Sequence, residues 1–274
     1  MKIDALFADL DGTFWGKGMQ VHPATLDAVA TLDKAGVRVV ISTGRRAHSA
    51  LAGLAAVGCA DRPAILMNGG LVRDRIDGPS FLVQTIAPVA VTRIFELFAE
   101  ADLEPLVYID HPDADMLVGA APAAGLDFVE SAVGVHHTDE LLTTALASAV
   151  IGFGAFGYPK GQLEHIEEAI NKEGLATAVI GLSILEGDHG IMVQARGTDK
   201  ATGIRAYCQR HDIDLNHIAA IGDGSNDIEM LELAALALVP SDAPDDIRVL
   251  ADHEIAPNEL GGWEAVPGLL GFSS

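Results

Sequence analysis

Apolar residues fall into two rhythms along this chain. Ala5-Leu6-Phe7-Ala8, Val37-Arg38-Val39-Val40-Ile41 and Ala64-Ile65-Leu66-Met67 are short runs of strand type. Between them, Leu26, Val29, Ala30 and Leu32 recur at helical spacing in Pro23–Lys34, which Gly36 terminates. A second helical stretch runs from Arg45 to Val57 and stops at Gly58. The alternation returns at the far end. Ala201–Arg210 and Asp227–Ala235 read as helices, and His217–Ile221, Leu236–Val239 and Glu254–Ala256 as strands. Strand–helix alternation of this kind predicts an α/β fold built on a Rossmann-like, doubly wound parallel sheet.

The middle of the chain has another character. Helices are expected at Val89–Ala101, Thr138–Ala147 and Lys160–Lys172, with strands at Leu106–Ile109, Met116–Val118, Ala149–Phe156, Ala178–Leu185 and Ile191–Val193. Gly187-Asp188-His189-Gly190 reads as an antiparallel hairpin turn. Residues 79–194 are therefore expected to form an α+β domain inserted into a core made of residues 1–78 and 195–274. Gly69-Gly70 and Gln194–Gly197 are the hinge candidates.

Composition narrows the class. Hydrophobic residues make up 49% and charged residues 20% of the 274 positions, enough for a large core and too apolar for disorder. The net charge of −22 is uneven: residues 79–194 carry three basic and 17 acidic side chains, while residues 1–78 are almost balanced. Such a surface repels polyanions, so nucleic acid is not an expected partner. The mostly apolar and glycine run Leu146–Tyr158, broken only by Ser148, is shorter than the roughly 18 residues of a membrane span, so no membrane partner is expected either. Asp4, Asp9 and Asp11 interrupt the N-terminal apolar stretch, unlike a signal peptide. Cys59 and Cys208 have neither metal-type spacing nor a disulfide framework. A cytoplasmic monomer or homodimer is the expectation.

Open parallel sheets carry their sites at the carboxyl ends of the strands. Three apolar runs here end in polar groups: Asp9, followed by Asp11; Ser42-Thr43, followed by Gly44-Arg45; and Asp223, followed by Asn226-Asp227. Alone, each has a plain reading. Asp-Leu-Asp-Gly-Thr can be a turn, Thr43 a helix cap, Lys200 a solvated lysine, and Gly222–Asp227 a turn into a capped helix. The richer readings are a ligand shared by two acids, a phosphate held at a helix N-terminus, and oxygen donors for a hard cation such as Mg2+.

In their order along the chain, Asp9-x-Asp11-Gly12-Thr13, Thr43-Gly44-Arg45, Lys200 and Gly222-Asp223-x-x-Asn226-Asp227 resemble the haloacid dehalogenase superfamily of phosphohydrolases. The layout, Asn68-Gly69-Gly70 and the stretch GDGSNDIEML are similar to its Cof-type subclass, IIB, whose α+β cap is inserted after the third core strand. The resemblance implies Asp9 as nucleophile and Asp11 as general acid and base. It implies Mg2+ held by Asp9, the backbone carbonyl of Asp11, and Asp223, with Asn226 and Asp227 supporting them. Thr43, Gly44, Arg45, Lys200 and Asn226 would bind the phosphoryl group of a small phosphorylated substrate, and acids crowded around Asp11 would raise its pKa.

The second acid favours an oxygen ester over a halide. A phosphomutase of the phosphomannomutase type and a non-catalytic binding protein are the rival functions. One departure stands out: where relatives often carry leucines, this chain has Phe14-Trp15-Gly16-Lys17-Gly18. Trp15 either packs beneath the first helix or lines, with Lys17, the mouth facing the leaving group. His136-His137 with Asp139 is expected to be a solvated loop, His189 a turn residue, and Tyr158 and Lys160 surface positions.

Overall fold

A computed structural model describes residues 2–182 and 188–272. In chain order the first strands are β1 (Ala5–Ala8), β2 (Arg38–Ser42), β3 (Ala64–Leu66), β4 (Leu71–Arg73) and β5 (Ser80–Val83). Helices α1 (Pro23–Lys34) and α2 (Ala47–Ala56) connect the first three. Pro23 opens α1, where its missing N–H costs nothing, and the His22 ring accepts the Ala24 N–H.

The middle of the chain supplies β6 (Leu106–Ile109), β7 (Met116–Val118), β8 (Val135–His137), β9 (Val150–Tyr158), β10 (Thr177–Leu182) and β11 (His189–Gln194), with α3 (Pro88–Glu100), α4 (Leu126–Ser131), α5 (Leu141–Leu146) and α6 (Lys160–Glu173). The chain then returns through α7 (Lys200–His211), β12 (Ile218–Ile221), α8 (Ile228–Leu233), β13 (Leu236–Pro240), α9 (Asp245–Arg248), β14 (His253–Ile255) and α10 (Val266–Leu269).

These elements form two compact units. One comprises residues 1–45, 51–82 and 199–274; the other, residues 46–50 and 83–198. In the first, eight strands run in the order β14-β13-β12-β1-β2-β3-β4-β5. The pairs from β14 to β3 are parallel, as the alternating pattern predicts, but β4 turns back antiparallel on β3. Neither β4 nor β5 was expected. Both are only three or four residues long, and no α-helix separates β3 from β4 or β4 from β5, so the strand–helix alternation does not mark them. β5 keeps the chain in this sheet, so the unit boundary falls after Leu82 rather than at 78. On the return it falls before Asp199 rather than at 195. Gly69-Gly70 lies inside the first unit, between β3 and β4, and is not the crossing point.

The second unit has a sheet ordered β10-β11-β9-β6-β7-β8, antiparallel except for β7 with β8. Its core packs α3 and α6 through Ile94, Phe98, Leu163 and Ile166 around Phe153 and Val107. Asn171 of α6 accepts from and donates to the backbone of Ala178, fastening helix to sheet. His189 lies in β11, not in a turn, and His136-His137 lie in β8. Gly187 of the expected turn, and the end of the strand expected to reach Leu185, lie outside the described residues. Among the described residues no helix is long and apolar enough to cross a membrane.

Candidate active site

β1 lies between β2 and β12, with Ala8 level with Ile41 on one side and Ile221 on the other. Three consecutive strands therefore end together. Asp9, Ser42-Thr43 and Gly222-Asp223 follow at the same edge, where the slots between parallel strands open.

Asp9 is buried, and its backbone N–H donates to Ile221 O. Its Oδ1 accepts from Lys200 Nζ at 2.6 Å. The plain reading of Lys200 as a solvated lysine fails, for this side chain is fully buried. Its ammonium also donates to Asp227 Oδ1 at 2.5 Å. Burial alone would favour the neutral amine, but Asp9 and Asp227 outweigh it and raise the Lys200 pKa. Burial lifts the Asp9 carboxyl above the ordinary range; Lys200 opposes that shift, and Asp227 and Asp223 reinforce it.

The start of α7 sets the lysine. Asp199 caps the helix by accepting the Thr202 N–H at 2.6 Å. Its carbonyl sits where a side chain on Gly69 would be, 2.0 Å from that Cβ position, and Gly69 has φ +99°. Glycine is thus required at 69 for two independent reasons, approach and backbone conformation.

Asp223 is half-buried beside Asp9 and accepts the Thr13 hydroxyl at 2.6 Å. Burial pushes it up to about 6; the Thr13 hydrogen bond pulls against this, and the neighbouring Asp227 charge adds to it. Asp227 Oδ2 accepts the backbone N–H groups of Asp223 and Gly224 at 3.0 and 2.9 Å. Gly12, φ +84°, turns the chain so closely past Asp223 that a Cβ would meet its carboxylate at 2.3 Å.

Asp9, Asp223 and Asp227 can each offer an oxygen within 4.8 Å of the others. Asp227 already serves Lys200 and two backbone N–H groups, which leaves Asp9 and Asp223 better placed to face a cation. Asp9 and Asp223, whose pKa values are raised by burial and neighbouring charge, offer hard oxygens that suit a divalent metal. Among the described residues, His136, His137 and Asp139 form no such cluster.

Asp11 behaves differently. Its carboxylate takes a fork from Arg45, Nε to Oδ2 at 2.6 Å and Nη2 to Oδ1 at 2.7 Å. The Trp15 indole N–H donates to Oδ1 at 2.9 Å. Burial works to raise the Asp11 pKa, but the hydrogen bonds from Arg45 and Trp15 outweigh it and hold the carboxyl below its usual value. The expectation that crowding acids raise this pKa is corrected: in this state a guanidinium, not Asp9 or Asp223, is the nearest charge.

Thr43 is buried, and its hydroxyl oxygen accepts the Arg45 N–H at 3.2 Å. A Cβ at Gly44 would crowd Asn68 Oδ1 at 2.9 Å, and that oxygen accepts from the exposed Asn226 at 3.0 Å. Asn226 thus reaches Asn68. Trp15 is fully buried and contacts Gly53 of α2, so it does not line an open mouth; Lys17 is exposed. Tyr158 is half-buried in β9, and Lys160 pairs with Glu164.

Two positioning residues escaped the sequence reading, Asn258 and Trp263, while Thr13 and Asn68 were named there only as parts of motifs. Asn258 donates to Thr13 O, Phe14 O and Thr25 Oγ1, and Trp263 Nε1 to Thr13 O at 2.9 Å. Together they pin the loop after β1 from the far end of the chain.

Comparison with known proteins agrees with this architecture. The profile of the haloacid dehalogenase-like hydrolases matches residues 6–263. The pyridoxal phosphate phosphatase YbhA of Escherichia coli is 24% identical over 257 residues, covering 91% of this chain and 92% of its own. Among solved structures, a haloacid dehalogenase-like hydrolase from Bacteroides thetaiotaomicron superposes with a TM-score of 0.82 at 18% identity, over 98% of this chain and all of its own. The subclass IIB sugar phosphatase BT4131 does so with a TM-score of 0.74 at 22% identity, over 99% of each chain. This chain belongs to the haloacid dehalogenase-like hydrolases, and its enzyme class is that of a phosphoric monoester hydrolase.

Proposed function

We propose that the protein is a Mg2+-dependent phosphatase that hydrolyses a small phosphorylated metabolite through an aspartyl-phosphate at Asp9. What carries this reading is the opposite treatment of two acids one residue apart. Asp9 is buried on Lys200 beside Asp223, whereas Asp11 stands outside that cluster under Arg45.

Asp9 attacks phosphorus in line and the alcohol oxygen departs. Asp11 gives that oxygen a proton, then takes one from the water that hydrolyses the intermediate. Lys200 holds Asp9 in place and offers positive charge to the phosphoryl oxygens as charge builds up in the transition state. The Thr43 hydroxyl, whose oxygen is already engaged by Arg45 N–H, has its proton to donate to a phosphoryl oxygen. A Mg2+ ion held by Asp9, Asp223 and the Asp11 carbonyl would supply screening between the nucleophile and the phosphate dianion. Asp227 fixes Lys200 and the backbone of the Asp223 loop.

Substrate choice would rest with the second unit as a cap. Relatives named as a pyridoxal phosphate phosphatase and a sugar phosphatase favour small metabolites. The test is phosphate release from p-nitrophenyl phosphate and a panel of phosphorylated metabolites, with Mg2+ and with excess chelator. Metal-dependent release supports the reading. A demand for a bisphosphate activator without release of phosphate would point to a mutase, and activity undiminished by chelator would remove the metal.

A further inference from the structure

Trp15 is absent from the mechanism above, yet it is among the largest wholly buried side chains and touches the acid Asp11 directly. The turn after β1 fixes its backbone. Leu10 O accepts the N–H groups of Thr13, Phe14 and Trp15, and Trp15 O accepts the Gly12 N–H at 3.0 Å. The ring is held as firmly. Phe14 meets it edge-on at 6.4 Å, and α2 approaches so closely that a Cβ on Gly53 would lie 2.8 Å from Trp15 Cη2. The Arg45 guanidinium lies over it, 5.2 Å from the ring centre. The indole can therefore neither withdraw nor rotate without opening the packing around Gly53.

An indole N–H donates and cannot accept. In a protonated carboxyl the carbonyl oxygen is the stronger acceptor, so an N–H fixed on one oxygen directs the proton to the other. Trp15 is fixed on Oδ1 of Asp11; Arg45 spans both oxygens from the half-exposed side.

Resting on the reading of Asp11 as the general acid, we propose that Trp15 is a positioning residue that makes Oδ1 the carbonyl oxygen of Asp11 and Oδ2 the oxygen that delivers the proton. Arg45 Nε must release Oδ2 for that oxygen to carry the proton, while the buried indole keeps its hold on Oδ1. In the transfer, the Oδ2–H bond breaks as the leaving oxygen gains that proton. The bond from phosphorus to that oxygen breaks as Asp9 bonds to phosphorus, and Asp11 is left as a carboxylate.

Leaving-group sensitivity provides the test, since a nitrophenolate departs without help and an alkoxide needs the acid. kcat/KM, which reports the first irreversible step, is measured for p-nitrophenyl phosphate and an alkyl phosphate in the wild type, Trp15→Phe, and Asp11→Asn. Both rates come from one sample, so any loss of folded enzyme cancels in their ratio. A second variant, with Trp15 replaced by benzothienylalanine, keeps the ring shape and deletes only the N–H.

Expected is a fall of the alkyl-to-aryl ratio by about tenfold in both Trp15 variants, and by about 10²–10⁴-fold in Asp11→Asn. A ratio within twofold of wild type in the Trp15 variants, with the large fall retained in Asp11→Asn, would overturn the role of Trp15 and leave Asp11 as the acid. An unchanged ratio in Asp11→Asn would overturn both.

Discussion

Lys200 and Asp9, 191 positions apart in the chain, meet at 2.6 Å in the buried centre of one unit. The contact joins the first strand to the first helix after the inserted segment, so the two ends of the chain must fold together before it forms. With Asp227 as its third member, it gathers two carboxylates around one buried ammonium. Removing the cation strands the acids. Lys200→Met is expected to lose activity and about 3–5 kcal/mol of stability, the usual cost of breaking a buried ion pair from one side, as read by urea unfolding.

Asp223 makes the opposite prediction. Its folded-state pKa, about 6, lies above the unfolded carboxylate value near 3.9. The protonated form is thus favoured in the fold, and the stability it contributes is present below pH 4 and lost as the pH rises through 6. In chelator at pH 7, Asp223→Asn should be more stable than wild type by about 1–3 kcal/mol, with the gain gone at pH 4. Mg2+ is expected to raise the melting temperature of the wild type and not that of this variant.

Gly69 tests the approach of α7. Gly69→Ala would set a methyl against the Asp199 carbonyl in a left-handed conformation. The expected outcome is a lower melting temperature together with a lower kcat, because the same carbonyl precedes Lys200. A fully active variant would show that the start of α7 does not position the lysine.

Asn258 is far from the chemistry in sequence and holds the loop after β1 by one amide. Asn258→Ala removes the amide donor from the Phe14 carbonyl in a buried place, while Thr13 O keeps the Trp263 indole, and should cost about 1–3 kcal/mol in urea unfolding.

Local pattern made much of this legible. Apolar runs located β1, β2, β3 and β12, and the polar groups that follow three of them placed Asp9, Thr43 and Asp223 on one edge. The invisible parts depend on long-range partners. Asn258 and Trp263 reach Thr13 across some 250 positions, and nothing near either residue announces it. Asp11 was misjudged for a similar reason: sequence proximity suggested Asp9 as its neighbour, while the fold supplies Arg45, 34 positions on. The segment FWGKG looked like an irregularity, and its tryptophan turned out to be both packing and contact to the acid. The short strands β4, β5 and β8 left no periodicity to read.

The central claim is a covalent bond to Asp9. Trapping the enzyme during turnover of p-nitrophenyl phosphate with borohydride, which reduces an acyl phosphate to an alcohol, and mapping peptide masses tests it directly. The account predicts homoserine at position 9, dependent on substrate and lost in Asp9→Asn. Reduction at another carboxylate, or an Asp9→Asn enzyme that still releases phosphate, would contradict it.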